Sequence, residues 1–165
     1  MPPVADHRVE RLTDPDLDLI RPFLVELGWL EQGHFPDHPQ LTREQLGSEL
    51  GSIRPRFEGE NHIFAVRADS GALAGFCWVV LFDPGTGLEG EVAEVFVSPP
   101  ERGHGVGEAL LEAAIQLFVE RGVTLGYVWT RIENKPATRL YRGAGFKPTE
   151  QLVMTWYPTQ GLAQP

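Results

Sequence analysis

The run Val97-Ser98-Pro99-Pro100-Glu101-Arg102-Gly103-His104-Gly105-Val106-Gly107 decides how this chain is read. Upstream of it, Glu91 to Val97 has the β-branched, apolar character of a strand. Downstream, Val106, Leu110, Leu111, Ala114, Ile115, Leu117 and Phe118 make a broad apolar stripe, while Glu108, Glu112, Gln116 and Glu120 recur every four residues on the solvent side. Arg121 and Gly122 suit the C-terminal end of that helix. A strand therefore feeds a helix directly through a turn that holds Gly103, Gly105 and Gly107. Glycines let the backbone come close to an oxygen-rich ligand, and the free N–H groups at a helix start, aided by the helix dipole, supply donors to it. The turn reads as a site for a phosphate group; the same glycines would also serve a tight turn that binds nothing.

Working outward, residues 7 to 13 form a first strand, and Asp14 or Asp16 caps a helix with Leu17, Ile20, Phe23, Leu24 and Leu27 on one face. Thr42 and Gln45 have the form of a capping box for a second, short helix, with Gly51 as its stop. Asn61 to Arg67 and Ala72 to Phe82 are apolar runs joined by Asp69-Ser70-Gly71, an antiparallel hairpin. After the long helix come a strand over 123–130, a helix over 134–141 with an Asn cap and Pro136 in its first turn, and a last strand over 151–157. The order β α α β β β α β α β predicts a mixed α/β architecture. No repeat or linker divides the 165 residues, and one domain over 1–165 is expected.

Composition removes several classes. With 14 Lys and Arg against 23 Asp and Glu, the net charge of −9 disfavours binding to nucleic acid. The longest apolar run, Phe76 to Phe82, is far short of the roughly 20 residues of a membrane span, and no export signal is visible, so a cytoplasmic, non-membrane protein is expected. A single cysteine, Cys77, excludes an intramolecular disulfide and sits between Phe76 and Trp78, where a thiol usually acts as a small hydrophobe. His34 and His38 are separated by Pro36 and lack a third ligand, so no metal is expected.

Two nucleotide motifs fail at the turn. A P-loop requires Gly-Lys-Ser or Gly-Lys-Thr, but Gly107 is followed by Glu108; a dinucleotide fold requires G-x-G-x-x-G early in a βαβ unit, and the glycine spacing here is different. Arg102, Gly105 and Gly107 instead match the core of the acyl-coenzyme-A pyrophosphate loop of the GNAT superfamily of N-acetyltransferases. Asn134, Ala137, Leu140-Tyr141 and Gly143 to Phe146 resemble that family's second signature, in the right order and spacing over Val95 to Phe146. The resemblance implies a GNAT-type fold: a mixed, mostly antiparallel central sheet of six or seven strands flanked by about four helices. It also implies acetyl-CoA as co-substrate and transfer of the acetyl group by direct attack of a primary amine, on a small molecule or peptide. A non-catalytic acyl-CoA-binding sensor or scaffold of the same fold is the alternative, and a homodimer fits either.

The resemblance further assigns roles. Backbone groups of Arg102, Gly103, His104, Gly105, Val106 and Gly107 would hold the pyrophosphate, and the main chain of Phe96 and Val97 would pair with the pantetheine arm. Asn134 matches a residue that contacts that arm, although an Asn at a helix start is also an ordinary cap. A primary alkylamine is only about 0.04% neutral at pH 7, a cost of roughly 4 to 5 kcal/mol, so a base is needed. Glu94 matches the family's acidic strand position and is the candidate, with Glu91 second. Tyr141, in the family's Tyr position, would protonate the leaving thiolate, or else packs in the core. The segment Gly28 to Pro39 falls where the family's acceptor pocket lies, so Trp29, His34 and Phe35 are candidate substrate-pocket residues, or simply part of a surface loop. Residues 98–147 carry +2 and the remainder −11, which fits an anionic ligand at the turn and a cationic or neutral acceptor elsewhere.

Overall fold

A computed structural model describes residues 7–14, 16–33, 36, 39–50, 53, 59–83 and 87–155. Strand β1 (Val9–Arg11) leads through a 3-10 turn (Asp16–Ile20) into helix α1 (Arg21–Gln32), followed by α2 (Arg43–Glu49). Strands β2 (Glu60–Arg67), β3 (Leu73–Phe82) and β4 (Glu89–Val97) come next, then α3 (Val106–Arg121), β5 (Leu125–Val128) and α4 (Lys135–Gly143). The sheet runs in the order β1-β2-β3-β4-β5, antiparallel up to β4 and parallel between β4 and β5.

Helices cover both faces of the sheet, which is why β2 and β3 read as nearly continuous apolar runs instead of alternating. On one face, Leu110, Leu111, Ala114, Leu117 and Phe118 of α3 pack on Val66, Cys77, Val79, Leu81 and Val92, with Leu140 and Tyr141 of α4 against the same cluster. On the other, Phe23, Leu24 and Leu27 of α1 pack on Ile63, Ala65, Phe76 and Phe96. The β2–β3 turn is closed by Gly71 at φ +85°, a conformation glycine adopts without strain, and by the Ala68 N–H donating to the Ala72 carbonyl at 2.8 Å.

Two irregularities in β4 build the site. Trp78 faces Glu94 while its neighbour Val79 faces Val92, so Ala93 is a bulge with no partner on β3. The bulge resets the side-chain alternation: Val92 lies in the α3 cluster, and so do Val95 and Val97, whereas Phe96 lies in the α1 cluster. The second irregularity is a parting of strands. β5 pairs with β4 only from Glu89↔Leu125 to Val92↔Val128, and beyond Val92 no strand among the described residues lies beside that edge of β4. One aromatic ring secures the paired part, because Cβ atoms on Gly90 and Gly126 would come within 2.4 Å and 3.0 Å of Phe118.

Most elements match the sequence reading, including the capping box: Thr42 Oγ1 accepts from the Gln45 N–H at 3.2 Å and Gln45 Oε1 from the Thr42 N–H at 2.8 Å. The first helix differs. It opens as a 3-10 turn and becomes α-helical only at Arg21, because Pro22 belongs in a first turn and Asp18 is engaged elsewhere, accepting from Arg21 at 3.2 Å and from the Ile53 N–H at 3.1 Å. The sheet has five strands among the described residues against the six or seven expected. Gln151 to Thr155 have no ladder partner, with Leu152 83% and Met154 86% exposed, and the rest of that expected strand lies outside the described residues.

The packing of Phe118 over Gly90 yields a stability prediction. Gly90→Ala should destabilise the protein by about 1 to 3 kcal/mol in urea unfolding, and Phe118→Leu in that background should recover part of the loss. An unchanged midpoint for Gly90→Ala would contradict this packing.

Candidate active site

The glycine turn is constructed as its sequence suggests. Ser98 donates its N–H to the Ala74 carbonyl at 2.8 Å, a 3-10 turn (Pro99–Glu101) follows, and Gly103 and Gly105 take φ +77° and +85°. Gly105 caps α3, and the first backbone bond inside the helix is Ala109 N–H to the Gly105 carbonyl at 3.0 Å. The N–H groups of Val106, Gly107 and Glu108 therefore have no helical acceptor and point out of the helix start, where its dipole is positive. Gly107 has a further reason to be glycine: a Cβ there would lie 3.1 Å from Leu140 Cδ2, so α3 and α4 touch at this position. Arg102 is turned back along β4. Its Nε donates to the Val97 carbonyl at 3.0 Å and its guanidinium lies over the Phe96 ring, 5.6 Å from the centroid. His104 is exposed, with its carbonyl oxygen against His7 Nε2.

Ladder phase decides which main-chain groups face the gap beyond Val92. In an antiparallel pair, hydrogen-bonded and non-hydrogen-bonded residues alternate. The Ser98–Ala74 bond makes Phe96↔Phe76 and Glu94↔Trp78 the bonded pairs, so the Phe96 main chain is committed to β3. Val95 and Val97 turn their N–H and carbonyl groups to the open edge, the Val97 carbonyl being the one that accepts from Arg102. Of Phe96 and Val97, only Val97 turns its main chain to the open edge, together with Val95. Phe96 supplies its ring instead, stacked near Phe23 with centroids 4.9 Å apart.

Glu94 and Tyr141 stand on opposite faces of the sheet beside that gap. Glu94 shares the α1 face with Phe96 and reaches solvent, while Tyr141 comes from α4 and packs on the α3 cluster, its ring edge-to-face with Phe146 at 6.2 Å. Surrounding protein raises the Glu94 carboxyl above its ordinary value, and the charges of Glu31 and Glu91 raise it further. Tyr141 is pushed up to about 12, by burial first and then by the neighbouring Cys77 and Glu94, so its phenol keeps its proton throughout the neutral range. Cys77 is fully buried and its thiol is likewise raised to about 12 by desolvation, which removes it as a nucleophile.

The model of the family described as Acetyltransferase (GNAT) family matches residues 24–146, a span that includes the turn, the parted strands and both of these side chains. The chain belongs to the GNAT acetyltransferase family. It is 36% identical over 148 residues to a mycothiol acetyltransferase of Thermobifida fusca, covering 82% of this chain and 45% of that protein. A mycothiol acetyltransferase of Catenulispora acidiphila is 30% identical over 153 residues, covering 86% and 48%. The chain thus spans about half the length of the curated relatives it matches. Solved structures with the same fold include a probable acetyltransferase, with a TM-score of 0.68 and 24% identity over 92% of this chain and 97% of that one. Another is an aminoglycoside N-acetyltransferase in complex with CoA, with a TM-score of 0.60 and 19% identity over 92% and 99%.

Other sequence candidates make local contacts of their own or lie outside the described residues. Asn134 is the N-cap of α4, its side chain accepting from the Ala137 N–H at 3.2 Å. Trp29 stacks beneath the Arg43 guanidinium, 3.7 Å from its ring centroid, and Arg43 also donates to Glu26 at 2.7 Å, so α1 and α2 are joined there. His34 and Phe35 lie outside the described residues, as does His38. Among the described residues no three His, Cys, Asp or Glu side chains gather as a metal site, and no helix is long and apolar enough to cross a membrane. Glu31 and Arg131, which the sequence reading passed over, are paired at 2.6 Å across 100 positions, and Tyr127 stands opposite Glu91 on β5. No local motif announces such a pair.

Burial of Cys77 makes a simple prediction. A neutral alkylating reagent should leave the native protein unlabelled at pH 7.5 and modify it only under denaturing conditions; mass spectrometry showing rapid labelling of folded protein would contradict the buried, protonated thiol.

Proposed function

We propose that this chain transfers an acetyl group from acetyl-CoA to a primary amine by direct attack, the acceptor being a small molecule. One observation carries the reading: the glycine turn at the start of α3, the main-chain edge of Val95 and Val97 that faces away from β3, and the Glu94 and Tyr141 side chains all converge on the parting of β4 from β5. The names of the curated relatives support acetyl transfer and a small-molecule acceptor.

The residues present fit the co-substrate. N–H groups of Val106, Gly107 and Glu108, with the positive-φ backbone at Gly103 and Gly105, form a concave set of donors suited to a pyrophosphate. Val95 and Val97 offer main-chain partners in the spacing of a β-edge, so the amide-bearing arm would lie along β4 as a strand does. Acetyl-CoA supplies an activated thioester. Asn134 caps α4, the helix that carries Tyr141.

Glu94 takes the proton of the incoming ammonium, directly or through water, so that the amine attacks with a free electron pair. Its raised pKa makes it a stronger base than an ordinary carboxylate, and it must be ionised to act. As the carbon–nitrogen bond forms and the carbon–sulfur bond breaks, Tyr141 gives a hydrogen bond or its proton to the departing sulfur. The two groups act from opposite faces of the sheet and meet only through the gap, which separates the acceptor side from the coenzyme side. Activity should therefore rise with pH as Glu94 deprotonates, with its acid limb above the ordinary carboxylate range.

Calorimetry with acetyl-CoA, with ATP and NADH as controls, tests the site, and release of free thiol with an amine panel tests the reaction. Gly105→Glu should abolish acetyl-CoA binding by charge and steric conflict; unchanged affinity would sink the turn assignment. Tyr141→Phe and Glu94→Gln should each lower kcat by about 10²-fold while sparing acetyl-CoA affinity. Tight binding with no turnover of any amine would favour a sensor or scaffold instead.

A further inference from the structure

His7 stands ahead of β1 and touches the glycine turn across 97 positions of sequence. Its ring nitrogen Nε2 lies against the His104 carbonyl oxygen; a carbonyl can only accept, so Nε2 carries the proton and donates. The rest of the fold brings the two together. Two residues after His7, Val9 starts β1, pairs with Val66 of β2 and packs against the cluster that contains Val66 and Val106, the first residue of α3. On the other side, Gly103 and Gly105, at φ +77° and +85°, turn the chain before and after His104.

A trans peptide unit is planar, so its carbonyl and its N–H point in opposite directions. Holding the His104 carbonyl toward His7 therefore holds the Gly105 N–H away from His7, and that N–H has no backbone acceptor among the described residues. In sequence it comes directly before the N–H groups of Val106, Gly107 and Glu108 at the positive end of the α3 dipole. Glycine takes positive and negative φ alike, so the His104–Gly105 peptide can turn over unless something holds it. We propose that His7 is a positioning residue for the coenzyme: its hydrogen bond to the His104 carbonyl locks this peptide with the Gly105 N–H as a donor on the anion side of the turn. The inference rests on the turn being the pyrophosphate site of the reading above. Because His7 acts through the main chain, it needs a donor at Nε2 and no positive charge.

Calorimetry with acetyl-CoA on the full chain compares His7→Ala, which removes the donor, with His7→Gln, which keeps an N–H donor at a similar reach and carries no charge. His7→Ala should weaken acetyl-CoA binding by about 3- to 10-fold, the share of one hydrogen bond, and His7→Gln should restore most of it. In the ligand-free protein, the Gly105 amide resonance in 15N NMR should move in His7→Ala and return in His7→Gln, because a hydrogen bond to a carbonyl polarises the nitrogen of the same peptide unit. Unchanged affinity in His7→Ala overturns the proposal, and so does a Gly105 resonance that stays put. A His7→Gln variant as weak as His7→Ala overturns it too, since the imidazole would then act by its charge or its packing and not by the carbonyl it holds. Absent acetyl-CoA binding in the unmodified protein is the separate failure of the transfer reading, and it removes the coenzyme role of His7 even where the Gly105 resonance responds.

Discussion

Strand β4 loses its neighbour half-way along its length, and the site follows from that loss. A strand edge inside a sheet is normally satisfied by hydrogen bonds, and leaving N–H and carbonyl groups of Val95 and Val97 without a strand partner costs free energy unless water or a ligand takes them. The chain keeps the edge open by two devices. The Ala93 bulge turns β4 and resets its alternation, and the Phe118 ring, pressed on Gly90 and Gly126, holds β5 close only where the strands are still parallel partners. Past Val92 the sheet has a gap through which groups on its two faces can meet.

Chemistry is divided between those faces by the same bulge. Without the extra residue, Glu94 would share a face with Val92 and point toward α3, into an apolar cluster that tolerates a carboxylate poorly. With it, Glu94 points to the α1 side, where partial burial and the charges of Glu31 and Glu91 act on it, while Tyr141 stays behind the sheet with its phenol neutral. In the proposed roles, base and acid are thus kept from direct proton exchange, although both lie beside one short stretch of backbone. Burial raises the pKa of both, but the consequences differ: Glu94 becomes a stronger base and Tyr141 remains a hydrogen-bond donor.

Much of this was legible in the sequence where the signal is local. The α3 stripe, the glycines before it, the Asp69-Ser70-Gly71 turn and the Thr42–Gln45 box each carry their geometry within a few residues, and the structure has them. Non-local features escaped. Val92-Ala93-Glu94-Val95 gives no sign of a bulge, because the bulge is a relation to β3, and so placing Val95, and not Phe96, at the open edge required the ladder register. Pro22 is a readable sign of a later helix start, whereas the reading rests on a cap at Asp14 or Asp16. The apolar content of Gln151 to Thr155 suggested a strand, but a strand is defined by its partner. Arg131 finds Glu31 only because the fold brings the end of α1 to the segment after β5.

The close fit of Gly107 against Leu140 has an implication for how such a site can vary. Helix α3 begins with the turn suited to a phosphate, and α4 carries the phenol one residue after Leu140. A Cβ at 107 would lie only 3.1 Å from Leu140 Cδ2, so a side chain there would press on α4 next to Tyr141 and the leucine would have to yield. In the proposed reading, the spacing between the coenzyme turn and the phenol is gauged by a residue with no side chain to offer either.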